Sequence, residues 1–248
     1  MIIGNTDTAA DAYPVVDFHS HVLPCVDDGS ASTEESLAML RTEAEQGIRH
    51  VIATPHFYPN HDSPERFLKR REAAYAALQT EMATLEDLPA VCLGAEVYFF
   101  SGISESELLP ELTIAGKKAI LVEMPHSPWT ESMYRELEGI WVKQGITPVI
   151  AHVDRYIRPF RTFRIPERLA QLPVLVQANA NFFLDRSTSR MALRMLREEQ
   201  IHLLGSDCHN MHSRKPNLAA AVEKIAKVLG QGSIERICLH QAAVLDNV

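Results

Sequence analysis

The sequence predicts an α/β protein built on a parallel barrel, and three observations support this prediction. Short apolar runs alternate about seven times with longer segments of helical periodicity. Several runs are nearly continuous in Val, Ile, Leu and Ala, which is typical of parallel strands covered on both faces. Histidines and carboxylates follow most of the runs. A barrel is favoured over a doubly wound sheet because it gathers the carboxyl ends of all its strands around one mouth.

The strands and helices can be assigned in chain order from these patterns. The seven predicted strands are VVDFH, HVIATPH, AVCLGAEV, KAILVEMP, PVIAH, VLVQAN and IHLLGSD. The clearest predicted helix covers Thr33 to Gln46, because it opens with a capping-box pattern and is followed by Gly47. Helical periodicity also covers Pro64 to Leu85, Glu131 to Gln144 and Ser187 to Glu199.

Length and composition indicate one globular domain. The chain has 248 residues, 46% of them hydrophobic and 23% charged, which suits a sizeable core and argues against disorder. We expect residues 1–13 to form an N-terminal tail and residues 14–248 to form the domain. The formal net charge of -8 disfavours nucleic acid and anionic membranes as partners. The four scattered cysteines form no CxxC pair, which favours reduced thiols in a cytoplasmic protein.

Potential metal ligands stand at the ends of six of the seven predicted strands. In chain order they are His19, His21, His56, Glu96, Glu123, His152, Asp207 and His209. Taken singly, each residue has an ordinary explanation as a hydrogen-bonded loop residue, a helix cap or a solvated charge. Taken together, they would leave many buried polar groups uncompensated unless cations neutralised them. The sequence therefore predicts a metal centre at the barrel mouth.

The mixture of ligands limits the kind of metal and the chemistry. Imidazoles and carboxylates without a convincing thiolate suit Mn, Fe, Zn or Co and argue against a structural cysteine-rich zinc site. The potential ligands outnumber the needs of one ion, so we expect a cluster of two or three divalent ions. Such a cluster lowers the pKa of a bridging water and clamps the oxygens of a phosphate ester. The sequence contains no Gly-rich phosphate loop, GxSxG elbow or dinucleotide fingerprint, so nothing suggests a nucleotide cofactor or a serine hydrolase.

Several motifs resemble those of a known superfamily. DFHSH and GSDCH resemble the PHP (polymerase and histidinol phosphatase) superfamily of metal-dependent phosphoesterases. HSHVLPCVDDGSAS, IATPHFYPN, GAEVYF and PVIAHVDRY are similar to the bacterial manganese-dependent protein-tyrosine phosphatases of capsular and exopolysaccharide gene clusters. The resemblance runs from about residue 15 to the C-terminus. It implies a distorted (β/α)7 TIM-like barrel of the PHP type.

The resemblance also implies a substrate and a set of metal sites. The expected substrate is a phosphotyrosine protein, namely the C-terminal tail of a cognate membrane-associated bacterial tyrosine kinase that regulates polysaccharide synthesis. One ion would be held by His19, His21, Glu96 and Asp207. Glu96 would bridge to a second ion held by Glu123 and His152, and a third would lie among Asp28, His56 and His209. Asp27 competes with Asp28, because the loop could turn either carboxylate inward.

Two arginines complete the implied catalytic site. Arg155 and Arg214 match the family's phosphate-binding positions, and each guanidinium can grip two phosphate oxygens. Asp154 departs from the family pattern, which usually has Glu there. The implied mechanism is direct attack of a metal-bridging hydroxide on phosphorus. His56 or a metal-bound water could serve as an optional general acid, since a phenolate with a pKa near 10 leaves readily.

Other interpretations predict different behaviour. CHNMHSR satisfies the C-x5-R signature of cysteine-dependent tyrosine phosphatases, but it lacks glycine and continues into Lys215. Within the PHP superfamily, the main alternative is a small-molecule phosphatase such as histidinol-phosphate phosphatase. A PHP nuclease is disfavoured by the acidic charge. A binding module without turnover would be expected to lack ligands. Phe57, Tyr58 and Trp129 are candidate walls for a phosphotyrosine ring, and His61 and His126 are candidate substrate contacts.

Overall fold

Parallel strands alternate with helices along the chain. The computed structural model describes residues 15–157 and 164–245, so the predicted tail of residues 1–13 lies outside the described residues. The strands are β1 (Val16–Ser20), β2 (His50–Ala53), β3 (His56–Phe57), β4 (Ala90–Leu93), β5 (Glu96–Tyr98), β6 (Ala119–Glu123), β7 (Thr147–Ile150), β8 (Leu175–Asn179) and β9 (Leu203–Gly205). The helices are α1 (Thr33–Glu45), α2 (Pro64–Met82), α3 (Glu131–Gln144), α4 (Ile165–Leu169), α5 (Ala180–Leu184), α6 (Ser189–Arg197), α7 (Leu218–Leu229) and α8 (Gln231–Leu245).

The strands form a curled parallel sheet. One part has the order β1-β2-β4 and the other the order β3-β5-β6-β7-β8-β9, and every pairing is parallel. The two ends of this arrangement meet at an isolated parallel bridge between Ser20 and Cys208. Next to the bridge, Asp207 N donates to His19 O at 2.8 Å and His21 N donates to Cys208 O at 2.9 Å. The curl therefore brings the first and last metal-ligand segments into direct contact.

Two of the predicted strands are each broken into two pieces. The second predicted strand is interrupted at Thr54 and Pro55, and the third at Gly94 and Ala95. Proline has no N–H for a sheet ladder, so the strand cannot continue regularly through residue 55. Pairing resumes with His56 opposite Glu96. Both side chains belong to the predicted metal centre, so the break occurs where the ligands begin.

The helix boundaries follow local capping chemistry. Ser32 caps α1 by accepting from Glu35 N at 3.2 Å, and Thr130 accepts from Met133 N at the start of α3. The helix α3 has the predicted bounds and ends before Gly145, whose φ of 64° is readily adopted by glycine. The helices α2 and α6 are shorter than predicted. Across the described residues, none of the helices is long and apolar enough to cross a membrane.

The apolar core has two layers. One cluster includes Phe18 from β1, Ile52 from β2, Leu121 from β6, Val149 from β7 and Leu203 from β9. β1 and β6 are not neighbours in the sheet, so these contacts run across the inside of the curl. A larger cluster lies between the strands and the helices. Burial on both faces of the strands explains their continuous apolar sequences.

Candidate metal centre

All nine predicted metal ligands converge at the carboxyl ends of the strands. Eight of the nine form three overlapping groups, and within each group the potential ligand atoms all lie within 4.8 Å of one another. The groups are His21, Asp28, His56 and His209; His19, His21 and Asp207; and His56, Glu96 and Glu123. The ninth residue, His152, has its Nε2 atom 2.6 Å from Glu96 Oε1 and 3.7 Å from Glu123 Oε1. Most of these side chains are buried, so their polar groups depend on one another for compensation.

Glu96 lies at the middle of the centre. Its Oε2 atom is 3.1 Å from His19 Nε2, 3.3 Å from His21 Nε2 and 3.0 Å from His56 Nδ1. Its other carboxylate oxygen contacts His152. Burial opposes ionisation of Glu96, but His19 and His152 outweigh burial and hold the pKa of Glu96 well below its usual range. One carboxylate surrounded by four imidazoles fits the bridging role that the family resemblance implies.

The imidazoles of His19 and His21 turn their Nε2 atoms toward a common point. His19 Nδ1 lies 3.2 Å from Gln177 Oε1, and His21 Nδ1 lies 2.7 Å from Asp27 Oδ2. His152 N also donates to Gln177 Oε1 at 2.6 Å, which fixes this oxygen as an acceptor. With both Nδ1 protons donated to these acceptors, the two Nε2 atoms, which lie 3.1 Å apart, are the ring nitrogens that would face a bound ion.

This geometry fits a shared metal ion. Ligand atoms bound to one ion at about 2.0–2.2 Å lie roughly 3.0–3.5 Å from each other. Asp28 Oδ1 is 3.5 Å from both His56 Nε2 and His209 Nε2, which is long for a hydrogen bond but suits two ligands of one ion. His209 Nδ1 faces the carbonyl oxygen of Asp207, and its buried Nε2 has no hydrogen-bond partner among the described residues. The residues present therefore fit divalent cations.

The electrostatics of the centre also favour bound cations. Burial lowers the pKa of His21, but Asp27 and Glu96 outweigh burial and raise this pKa to about 10. Burial also dominates at His209, where it combines with His21 to lower the pKa to about 3. The centre thus stabilises positive charge at one imidazole and keeps another imidazole neutral as a potential ligand.

The two neighbouring aspartates have different positions. Asp27 accepts from His21 Nδ1, from His56 N at 2.8 Å and from Gly29 N at 2.9 Å. Asp28 points outward, with 67% of its side chain exposed, and faces His56. The Asp27 carboxylate therefore orients His21, whereas Asp28 has oxygens free to bind an ion. Gly29 permits this close packing, because a Cβ atom there would lie 2.5 Å from His21 Cβ.

Several supporting residues were missed by sequence reasoning. Asp17 Oδ1 accepts from His19 N at 3.1 Å and from Ser206 N at 2.9 Å, so it joins the first and last ligand segments. Gln177 orients His19 from the middle of β8. A glutamine inside the otherwise apolar run VLVQAN is the signal that could have indicated this role.

Two of the ligands have a left-handed backbone. His152 has a φ of 30° and Asp207 a φ of 53°. This region costs a non-glycine residue about 1–2 kcal/mol. Such strain is concentrated at functional sites, where the surrounding structure holds it.

Both predicted arginines reach the centre through Asp207. Arg155 Nη2 is 2.5 Å from Asp207 Oδ2, and Arg214 Nη2 is 2.7 Å from Asp207 Oδ1. Both line a polar cavity of about 410 Å³ together with Asn181 and Lys215. Asp154 also lines this cavity and accepts from the backbone of Asn179. The guanidinium groups can therefore meet a polar ligand that enters beside the metal ligands.

The C-x5-R segment does not form a phosphate cradle. The backbone N–H groups of His212, Ser213 and Arg214 donate to Asn210 Oδ1 at 2.9, 2.9 and 3.2 Å. Cys208 is fully buried, and burial, together with nearby carboxylates, raises the pKa of its thiol well above the usual range. A buried neutral thiol next to an occupied loop argues against a thiolate nucleophile.

The candidate aromatic walls separate into different environments. Phe57 is 1% exposed and packs against Phe67, so it belongs to the core. Trp129 packs against Tyr156, with their ring centroids 5.1 Å apart. Tyr58 stacks on His56, which is a predicted metal ligand. Only Tyr58, of these three candidates, contacts a predicted ligand directly through its ring.

Comparisons with known proteins match nearly the whole described chain. The family of capsular polysaccharide synthesis proteins CpsB/CapC matches residues 15–245. The chain is 31% identical to the tyrosine-protein phosphatase CpsB of Streptococcus pneumoniae over 231 residues, which cover 87% of this chain and 91% of that protein. It is 30% identical to the tyrosine-protein phosphatase YwqE of Bacillus subtilis (strain 168) over 229 residues, which cover 87% and 85% of the two proteins.

A solved structure supports the same fold. It is one of the crystal structures of YwqE from Bacillus subtilis and CpsB from Streptococcus pneumoniae, which are described as unique metal-dependent tyrosine phosphatases. The TM-score is 0.81 at 23% sequence identity, and the match covers 94% of this chain and 95% of that chain. The two chains therefore share their mixed α/β architecture and curled parallel sheet.

Proposed function

The chain belongs to the CpsB/CapC family of capsular polysaccharide synthesis proteins, and we propose that it acts as a metal-dependent protein-tyrosine phosphatase. The observation that carries this function is the convergence of nine imidazole and carboxylate ligands beside two arginines. We also propose that the curled sheet is the distorted seven-stranded barrel of the PHP type, with β2 and β3 as one interrupted strand and β4 and β5 as another.

Two or three divalent ions, most simply manganese, would be held by the nine residues. One would be bound by His19, His21, Glu96 and Asp207, one by Glu96, Glu123 and His152, and one by Asp28, His56 and His209. Bound divalent ions supply a nucleophile from water near neutral pH and offset the charge of a phosphate ester. Iron, zinc or cobalt could bind the same mixture of nitrogen and oxygen atoms.

The chain's own residues orient the substrate and the ligands. Arg155 and Arg214 would bind the phosphoryl oxygens through their guanidinium forks, and their ion pairs with Asp207 hold them at the edge of the centre beforehand. Asp27 and Gln177 fix the ring orientations of His21 and His19. The phenolate leaving group, with a pKa near 10, requires little protonation, and His56 would be a proton donor only in an enzyme with two ions, because it is a ligand of the third.

We propose the C-terminal tail of a membrane-associated bacterial tyrosine kinase as the protein substrate. The family's role in capsular polysaccharide synthesis supports this choice. The cavity beside Arg155 and Arg214 can receive an extended polar segment. Because the cysteines of the described residues are free, we propose the cytoplasm as the site of action.

A substrate panel on metal-analysed protein tests this function. Phosphotyrosine peptide, phosphoserine peptide, histidinol phosphate and p-nitrophenyl phosphate would be compared with added manganese and with chelator. We expect manganese-dependent turnover that is fastest on phosphotyrosine and is lost with chelator. Fastest turnover on histidinol phosphate would instead indicate a small-molecule phosphatase. Turnover that survives complete removal of metal would contradict the proposed mechanism.

A further inference from the structure

A second cleft opens next to the metal ligands. Its volume is about 410 Å³, and its lining includes Val26, His56, Tyr58, His61, Arg66 and Arg70. We call it the Tyr58 cleft. The cavity beside Arg155 and Arg214 has different lining residues, which include no phenyl or aliphatic side chain among the described residues. The Tyr58 cleft therefore provides a phenol ring, whereas the ring among the described lining residues of the arginine cavity is the imidazole of His212.

The ring of Tyr58 is held against a metal ligand. Its centroid is 5.0 Å from that of His56, and the two planes meet at 28° in a stacked arrangement. The Tyr58 hydroxyl group lies 3.5 Å from Glu123 Oε2, and the ring of Tyr98 packs nearby at 5.6 Å. Tyr58 is only partly buried and lines the cleft, so part of its surface remains available to a ligand.

The loop that carries Tyr58 is braced by a network of hydrogen bonds. The carbonyl oxygen of Tyr58 accepts from His61 N at 2.9 Å and from Asp62 N at 3.0 Å. The carboxylate of Asp62 contacts both Arg66 and Arg70, the latter at 2.7 Å. Arg70 Nε also donates to Val26 O at 3.1 Å, in the loop that leads to the metal ligand Asp28. The position of Tyr58 is therefore fixed before any ligand arrives.

We propose that the Tyr58 cleft binds the phenyl ring of the phosphotyrosyl group, and this inference rests on the proposed function. In phosphotyrosine the ring is bonded directly to the ester oxygen, so phosphorus near His56 brings the ring within reach of Tyr58. Aromatic rings pack favourably at centroid separations of about 4.5–7 Å. Tyr58 is then a specificity-determining residue, because it favours aryl phosphate esters over alkyl ones.

The contribution of the phenyl ring to binding can be measured with two phosphonates that differ only in the group attached to phosphorus. Phenylphosphonate and methylphosphonate would be titrated into the manganese-loaded enzyme by calorimetry. We expect phenylphosphonate to bind wild type about three- to tenfold more tightly than methylphosphonate. Tyr58→Leu should reduce this ratio to near one, whereas Tyr58→Phe should keep it. Trp129→Leu, which alters the other candidate aromatic wall, should also keep the wild-type ratio.

Three results would overturn the inference. These are a wild-type ratio near one, an unchanged ratio in Tyr58→Leu even if both affinities fall, and loss of the ratio in Trp129→Leu. Metal analysis and the Tyr58→Phe protein verify that the fold and the ions are retained. The proposed function fails on phosphotyrosine turnover, whereas this inference fails on a ratio of binding constants, so the two failures are distinguishable.

Discussion

Two clusters of ligand-type side chains lie close to each other, and they differ in how their charge is compensated. The first is the metal centre. The second, which we call the acidic triad, consists of Asp17, Glu43 and Cys208, whose ligand-type atoms also lie within 4.8 Å of one another. All three residues of the triad are fully buried. Proximity of ligand-type atoms therefore does not distinguish the two clusters.

In the acidic triad, one proton shared by two carboxyl groups can compensate the negative charge. The carboxylate of Asp17 already accepts from His19 N and from the backbone and hydroxyl of Ser206. No other group among the described residues hydrogen-bonds to the carboxyl group of Glu43, which faces Asp17. Burial and the neighbouring charge of Asp17 raise the pKa of Glu43 to about 10, so Glu43 stays protonated and donates to Asp17.

A single shared proton cannot compensate the charge of the metal centre in the same way. The Nδ1 atoms of His19 and His21 face Gln177 and Asp27, and the two Nε2 atoms converge. Protons could offset part of the charge, but the 3.1–3.5 Å separations among nitrogen and oxygen atoms match the ligands of an ion. We therefore expect imidazoles oriented by their neighbours, rather than carboxylates alone, to distinguish the cluster that would bind metal.

The same substitution in both clusters should give the largest contrast. Glu96→Gln removes the charge that contacts four imidazoles, so we expect a loss of at least about 1,000-fold in phosphatase activity together with loss of bound manganese. Glu43→Gln is the matched control, because its amide can still donate to Asp17. It should retain the manganese content and activity within about threefold. Metal analysis and p-nitrophenyl phosphate kinetics check both variants, and equal losses would contradict the distinction.

Cys208 and His209 test the boundary between the clusters, since they are adjacent in sequence but belong to different clusters. We expect His209→Ala to lower activity about 100-fold through loss of a metal ligand. Cys208→Ser should keep most of the activity, although a hydroxyl group in this buried position can destabilise the fold by about 1–3 kcal/mol. Steady-state kinetics at 25 °C, with unfolding measured in parallel, separates the two effects. If Cys208→Ser were inactive although folded and loaded with metal, this result would support covalent cysteine catalysis.

The tight packing behind His19 should be sensitive to one added methyl group. A Cβ atom at Gly205 would lie 2.5 Å from His19 Cβ and 2.9 Å from His19 N. Gly205→Ala should therefore lower the free energy of unfolding by about 1–3 kcal/mol and weaken manganese binding. Gly232→Ala is the control, because nothing lies within 4 Å of a Cβ atom there. Urea unfolding measures the stability of both variants, and manganese titration measures their affinity for the ion. Equal changes in the two variants would contradict the expected effect of tight packing.

The smallest expected effect is a pH dependence at the acidic triad. Glu43 has a raised pKa of about 10 in the folded protein, against 4.5 ordinarily. Between these values the unfolded chain is ionised and the folded one keeps its proton, so stability falls as pH rises. Metal-free Glu43→Gln should gain stability relative to wild type by about 1 kcal/mol per pH unit from pH 6 to 7. Urea unfolding measures this difference, and a pH-independent difference would contradict the shared proton.

The sequence indicated the ligands more fully than the residues that orient them. The convergence of His19, Glu96 and Asp207 could be predicted because each lies near the end of a predicted apolar strand, and parallel strands end at a common edge. The break before His56 was missed, although Pro55 could have indicated it. The short helices α4 and α5 were also missed, because five residues carry too little periodicity to read.

The individual side-chain contacts within the two clusters could not be predicted from the sequence. Asp27 and Asp28 are chemically identical, and only the fold shows that Asp27 faces His21 while Asp28 faces His56. The contact between Asp17 and Glu43 depends on how α1 packs on β1, which no local pattern specifies. Phe57 ends the short strand β3 and Tyr58 follows it directly, yet Phe57 enters the core and Tyr58 lines a cleft.

Anomalous X-ray scattering from crystals grown with manganese tests the distinction between the clusters most directly. We predict peaks at the Mn absorption edge among His19, His21 and Asp207 and among Asp28, His56 and His209, and none among Asp17, Glu43 and Cys208. A peak in the acidic triad, or no peak among the imidazoles of manganese-saturated protein, would contradict this account.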